Sequence, residues 1–172
     1  MDINQPFALH HRSEVVLAVD PARLFAHLDD HRRLASHMEK PSLMTAGASM
    51  RIETDERHGQ APGSVIRMTG RVLGLDLRLE EVVTTYEPPR RKVWETRGEP
   101  RLLVIDHYQM GFTIEPAPLG SRLVVFIDYR LPRQGVGRVL GLLLGRGYAA
   151  WCTRRMAEDA RAAFGAATPS HE

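Results

Sequence analysis

The sequence predicts an α+β fold in which a seven-stranded, curved antiparallel sheet packs against one long C-terminal helix, with two short helices after the first strand. Three observations carry this. From about Leu43 to Leu131 the hydrophobic period is two, with turn chemistry at intervals of roughly ten residues. From Val136 to Phe164 the period is helical, and near the N-terminus a β-branched run passes straight into a helix cap. At 172 residues, 43% hydrophobic and 26% charged, the chain is sized for one core and lies far from the composition of disordered proteins. A single domain over residues 1–172 is expected, with 1–11 and 166–172 as flexible tails.

The first element is "SEVVLAV" (13–19), a strand, followed by Asp20 as N-cap and Pro21 in the first helical position. Leu24, Phe25 and Leu28 then share a helical face. A break near Asp29 separates this helix from a second, "DDHRRLASHM", with Leu34 and Met38 as its apolar positions. Turns are expected at "GQAPGS" (59–64), "EPPRR" (87–91), "RGEPR" (97–101) and "PAPLGS" (116–121), leaving room for six further strands. Ile66, Met68 and Val72 oppose Arg67, Thr69 and Arg71; Leu75, Leu77 and Leu79 oppose Asp76, Arg78 and Glu80. One sheet face is therefore dry and the other wet. "LVIDHYQMGFTI" puts Val104, Asp106, Tyr108, Met110, Phe112 and Ile114 on one face, so a carboxylate and a phenol project among apolar residues. A one-residue slip would present His107 and Gln109 instead; the apolar partners favour the first register.

The last helix carries a stripe of Leu140, Leu144, Tyr148, Trp151, Cys152, Met156, Ala160 and Phe164, expected to lie against the dry face. Glycines 135, 137, 141, 145 and 147 crowd its first half, where each costs about 1 kcal/mol relative to alanine, which predicts a soft helix start.

Composition narrows function mainly by exclusion. The net charge of +2, with acids and bases intermixed, gives no reason to expect a nucleic-acid partner. Of 23 basic residues all but Lys40 and Lys92 are arginine, which carries no functional weight in this reading. The lone Cys152 can form no internal disulfide and reads as a small apolar residue. The N-terminus lacks the pattern of a signal peptide and no 18-residue uncharged apolar run occurs, so a cytoplasmic protein is expected. His27, His31 and His37 invite a metal reading. The expected helix break separates the first two, and Arg32 and Arg33 would repel a cation, so no metal is expected and the segment reads as a solvated face closing one end of the molecule. "GLLLG", flanked by Arg138 and Arg146, reads first as packing against a neighbouring loop. The alternatives are a transient membrane contact or a dimer face, so the chain is expected to be a monomer or weak homodimer.

The order of elements, together with "PARLFAHLDD", "VTTYEPPRRKVWET" and "YRLP", resembles the helix-grip fold of the START and birch-pollen-allergen (SRPBCC) superfamily, in particular bacterial members labelled polyketide cyclase/dehydrase and lipid-transport proteins. The resemblance implies a curved sheet gripping the long helix around an elongated apolar cavity. It implies a small hydrophobic ligand, lipid-, sterol- or polyketide-like, and no cofactor; it supplies no family-wide catalytic residue. The expected lining is Met68, Trp94, Asp106, Tyr108, Met110, Phe112, Leu144, Tyr148, Trp151 and Met156. The leading reading is binding or transport of that ligand. The alternative is a cofactor-independent cyclase or dehydratase using Asp106 and Tyr108.

Overall fold

The first strand, β1 (Leu9–Leu17), alternates half-buried or buried positions with exposed ones and pairs antiparallel with the last strand, β7 (Gly120–Tyr129). A computed structural model of the protein describes residues 7–30, 49–72 and 75–165. Within these, β1 is followed by α1 (Pro21–Leu28), β2 (Ser49–Thr54), β3 (Val65–Val72), β4 (Leu75–Glu87), β5 (Arg91–Arg101), β6 (Tyr108–Ala117), β7 and α2 (Gly135–Phe164). The second short helix expected around Leu34 and Met38 lies outside the described residues, as do His31 and His37.

The seven strands form one antiparallel sheet in the order β1-β7-β6-β5-β4-β3-β2. Strand β1 starts four residues earlier than its apolar run, so residues 9–11 are strand rather than tail. On a strand at the edge of the sheet, exposed residues such as His10 and Arg12 hide the strand signal without weakening its ladder. The expected turn at 97–101 is also absent. Strand β5 runs through it, with Gly98 at φ +69° absorbing an irregularity between the pairs Glu80↔Arg97 and Arg78↔Arg101. The true β5–β6 connection is 102–107.

Helix α1 is set by local chemistry. Asp20 accepts from the Arg23 backbone N–H at 3.0 Å, Pro21 opens the helix, and Leu24, Phe25 and Leu28 face the core. Burying these three contributes about 1.5–3 kcal/mol each.

Helix α2 lies along β1 and β7 and buries only part of the expected stripe: Cys152, Met156 and Ala160 are buried, Leu140, Tyr148, Trp151 and Phe164 are half-buried, and Leu144 is exposed. Its buried side is Gly141, Gly145, Ala149, Cys152, Thr153, Met156, Ala157 and Ala160. In its first half, where Gly141, Gly145 and Ala149 take the places expected for Leu140, Leu144 and Tyr148, the buried side is shifted by about one residue, or 100°. The reason is close approach. A Cβ at Gly141 would sit 2.9 Å from the Val104 carbonyl oxygen and 3.1 Å from Pro132 Cδ; one at Gly145 would come within 2.6 Å of Leu131 Cδ2. These glycines serve close packing, so their density is not in itself a sign of a soft helix. Further along, the Thr153 hydroxyl meets His11 Nδ1 at 2.8 Å and Ser13 Oγ at 2.9 Å, fixing the helix onto β1.

No helix among the described residues is long and apolar enough to cross a membrane.

Candidate functional site

Alternation places a charged group of β4 on the dry face. On β4 the inward positions run Leu77, Leu79, Glu81, Val83; Leu79 and Val83 are core residues, and Glu81 is 1% exposed. Cross-strand pairing sets Glu81 opposite Thr96 of β5, and the Thr96 hydroxyl bridges to the Tyr108 backbone on β6. The Tyr108 side chain then reaches back across the sheet, and its hydroxyl donates to Glu81 Oε1. Glu81 Oε2 is fully enclosed with no hydrogen-bond partner among the described residues. Burial pushes the Glu81 carboxyl from the ordinary 4.5 up to about 7, against the pull of hydrogen bonding from Tyr108 and Trp94 and of the Lys92 charge. Burial first, and then the Glu81 charge, hold the Tyr108 phenol well above its ordinary range. The pair is a carboxyl able to gain or lose a proton near neutrality and a phenol that stays protonated.

The pair sits within an otherwise apolar core. Met68, Leu79, Trp94, Met110 and Met156 are buried in the same cluster, as the sequence led us to expect for four of them. Phe112 is also buried, edge-on between Phe25 (5.5 Å between ring centroids) and Trp94 (6.4 Å). From α2, Tyr148 and Trp151 are half-buried with rings 5.9 Å apart. Burial drives the Cys152 thiol up to about 12, which rules out a thiolate at neutral pH and agrees with its reading as an apolar residue.

Two expected members are elsewhere. Asp106 precedes β6, in the 102–107 connection; its side chain is 31% exposed and its Oδ2 lies 2.9 Å from His107 Nδ1. It is not an inward carboxylate, because the strand face it was assigned to begins only at Tyr108. Leu144 is 52% exposed, a consequence of the rotation of α2.

A second polar cluster closes the end of the sheet beside α1. Lys92, in phase with Trp94 on β5, is completely buried; its Nζ pairs with Asp29 Oδ1 and donates to the Asp29 carbonyl oxygen at 3.2 Å. The Tyr86 hydroxyl donates to Asp29 Oδ2 at 2.8 Å. An irregularity between Val83 and Thr85 brings Tyr86 back to the inward side. Asp29 caps the C-terminal end of α1, where a carboxylate is unfavourable and a cation favourable, so Lys92 compensates both the charge and the helix end. Asp29 is thus a buried anchor, not part of the solvated face expected for "HLDDH". His27 stacks edge-on against Phe164 at 4.9 Å and ties α1 to the end of α2.

Sequence reading missed Glu81 and Lys92. Both signals were present: each is the charged member of an otherwise apolar inward series.

A family model described as polyketide cyclase / dehydrase and lipid transport matches residues 9–162, from β1 to the last turns of α2. The chain belongs to that family. Among solved structures, this family member is similar to TTHA0849 from Thermus thermophilus, with 18% identity over 90% of this chain and 99% of that one and a TM-score of 0.60. It is similar to the Zhui aromatase/cyclase from Streptomyces sp. R1128, with 15% identity, coverage of 90% and 95%, and a TM-score of 0.59. The di-domain ARO/CYC StfQ of the steffimycin biosynthetic pathway aligns at 12% identity over 89% of this chain and 50% of that one, with a TM-score of 0.61. At these identities the likeness establishes the helix-grip fold. No curated protein matches the chain.

Proposed function

We propose that the protein binds a small, mostly apolar molecule between the concave sheet face and α2, and that Glu81 orients it by a hydrogen bond. The observation that carries this is Glu81 Oε2, enclosed and unpartnered within a wall of Met68, Trp94, Met110 and Met156. A buried polar atom without a partner costs about 1–3 kcal/mol, a cost that a ligand hydroxyl or carbonyl would remove. Below the Glu81 transition the carboxylic acid donates to a carbonyl; above it the carboxylate accepts from a hydroxyl. The family description, which includes lipid transport, supports the same reading.

Native mass spectrometry of freshly purified protein, with organic extraction, tests this. A co-purifying apolar compound carrying an oxygen function is expected, and Glu81→Leu should lower its occupancy more than Tyr108→Phe does. Protein that carries nothing, and that binds a fluorescent fatty-acid probe no differently after Glu81→Leu, would overturn the reading.

A second reading has its own observation. Glu81 titrating near neutrality beside a protonated Tyr108 is the arrangement expected of a general acid/base with an orienting phenol, and such a pair could drive a cofactor-independent cyclisation or dehydration of a polyketide-like substrate. The residues are then Glu81 and Tyr108 rather than Asp106 and Tyr108. Turnover of a short polyketone with a pH profile breaking near 7, lost in Glu81→Gln, supports it; absence of turnover with retained binding leaves the protein a carrier.

A further inference from the structure

The first ten residues of α2 expose more large aliphatic surface than any other described segment. Val136, Val139, Leu142, Leu143 and Leu144 are between 52% and 75% exposed. Val136, Val139 and Leu143 follow one another at helical spacing on the side away from Gly137, Gly141 and Gly145, which are held against Pro132, Leu131 and the Val104 carbonyl. The inner side of this helix end is therefore occupied, and its outer side is an apolar strip. The charge along this stretch of the sequence has one sign. Between Asp128 and Glu158 the sequence contains no acidic residue, but it contains Arg130, Arg133, Arg138, Arg146, Arg154 and Arg155. Arg138 and Arg146 are exposed and bracket Val139–Leu144 in the sequence.

We infer that this end of α2 is a docking surface for an anionic lipid membrane, on which the helix lies in the interfacial plane. Aliphatic residues on one side and arginines at its margins are what an interfacial helix needs, since the apolar strip enters the acyl boundary while the guanidinium groups remain with lipid phosphates. A second copy of the chain fits less well. A two-fold contact through this patch would set Arg138 and Arg146 of both copies close together with no carboxylate in the segment to compensate them. This inference does not depend on what occupies the interior.

The experiment is co-sedimentation of the full chain with phosphatidylcholine vesicles, with and without phosphatidylglycerol, at low and high salt. Binding to the anionic vesicles that weakens with salt is expected. Arg138→Gln and Arg146→Gln should each weaken it about five-fold. Leu142→Ser with Leu143→Ser should weaken it at least about ten-fold, while the exposed positions leave the thermal melt near that of the parent. Failure to sediment with anionic vesicles, or equal binding to both vesicle types, overturns the inference. So does a dimer in light scattering that the leucine variant converts to monomer, because the strip would then be covered by a second copy.

Discussion

Glu81 combines two costs, enclosure of a carboxylate and an oxygen left without a partner, and both depend on its protonation. Its folded transition is raised from 4.5 to about 7, so the native state holds a proton that the unfolded chain has already released. That contribution is fully present below 4.5, declines as pH rises, and is gone above about 7; over the window it amounts to about 3 kcal/mol. Glu81→Gln should therefore flatten the pH dependence of unfolding between these limits, and should be more stable than the parent above pH 7. Urea denaturation at a series of pH values measures it; parallel curves for the two proteins would mean that Glu81 is not buried as described. The residue was legible in principle. It shares the phase of Leu77, Leu79 and Val83, but beside Glu80 in "LEEVV" it looks like half of a solvated pair. Asp106 failed for the opposite reason: alternation says which residues share a face, not where a strand begins, and the irregular 102–107 segment ends that face before Asp106.

Among the elements, α2 separates pattern from packing most clearly. Its large residues form the stripe that sequence reading picks out, while its buried side is made largely of glycine, alanine and threonine, which carry little hydrophobic weight. Backbone contact decided the orientation. Substitution at two glycines distinguishes the effects. Gly147→Ala meets nothing within 4 Å and should gain up to about 1 kcal/mol from helix propensity. Gly141→Ala gains the same amount but drives a methyl group towards the Val104 carbonyl and Pro132, for an overpacking cost of about 1–3 kcal/mol, so a net loss is expected. Thermal melts of the two variants should move in opposite directions. The rest of the fold was readable because alternation, turn residues and the Asp20-Pro21 cap agree with each other, whereas the helix face was set by a contact between segments far apart in sequence.

At the scale of the molecule, the middle of the sheet and its β1 edge are held by different chemistry. Beside α1, the Lys92–Asp29 pair joins helix and strand without access to water. Lys92→Met alone strands a buried carboxylate and should cost about 3–5 kcal/mol, while Lys92→Met together with Asp29→Asn should cost less than either change alone would suggest. A double-variant loss equal to the sum of the two single losses, read by urea midpoints, would argue against a coupled pair. At the edge, β1 is held by β7 and by α2, both of which come late in the chain. Leu17 pairs with Ser121, and Leu9 with Tyr129. During synthesis β1 leaves the ribosome well before β7 and α2, and its edge stays open until they follow. A nascent chain stalled before Gly120 should therefore yield to protease across Leu9–Leu17, and release past Phe164 should close the molecule in one step.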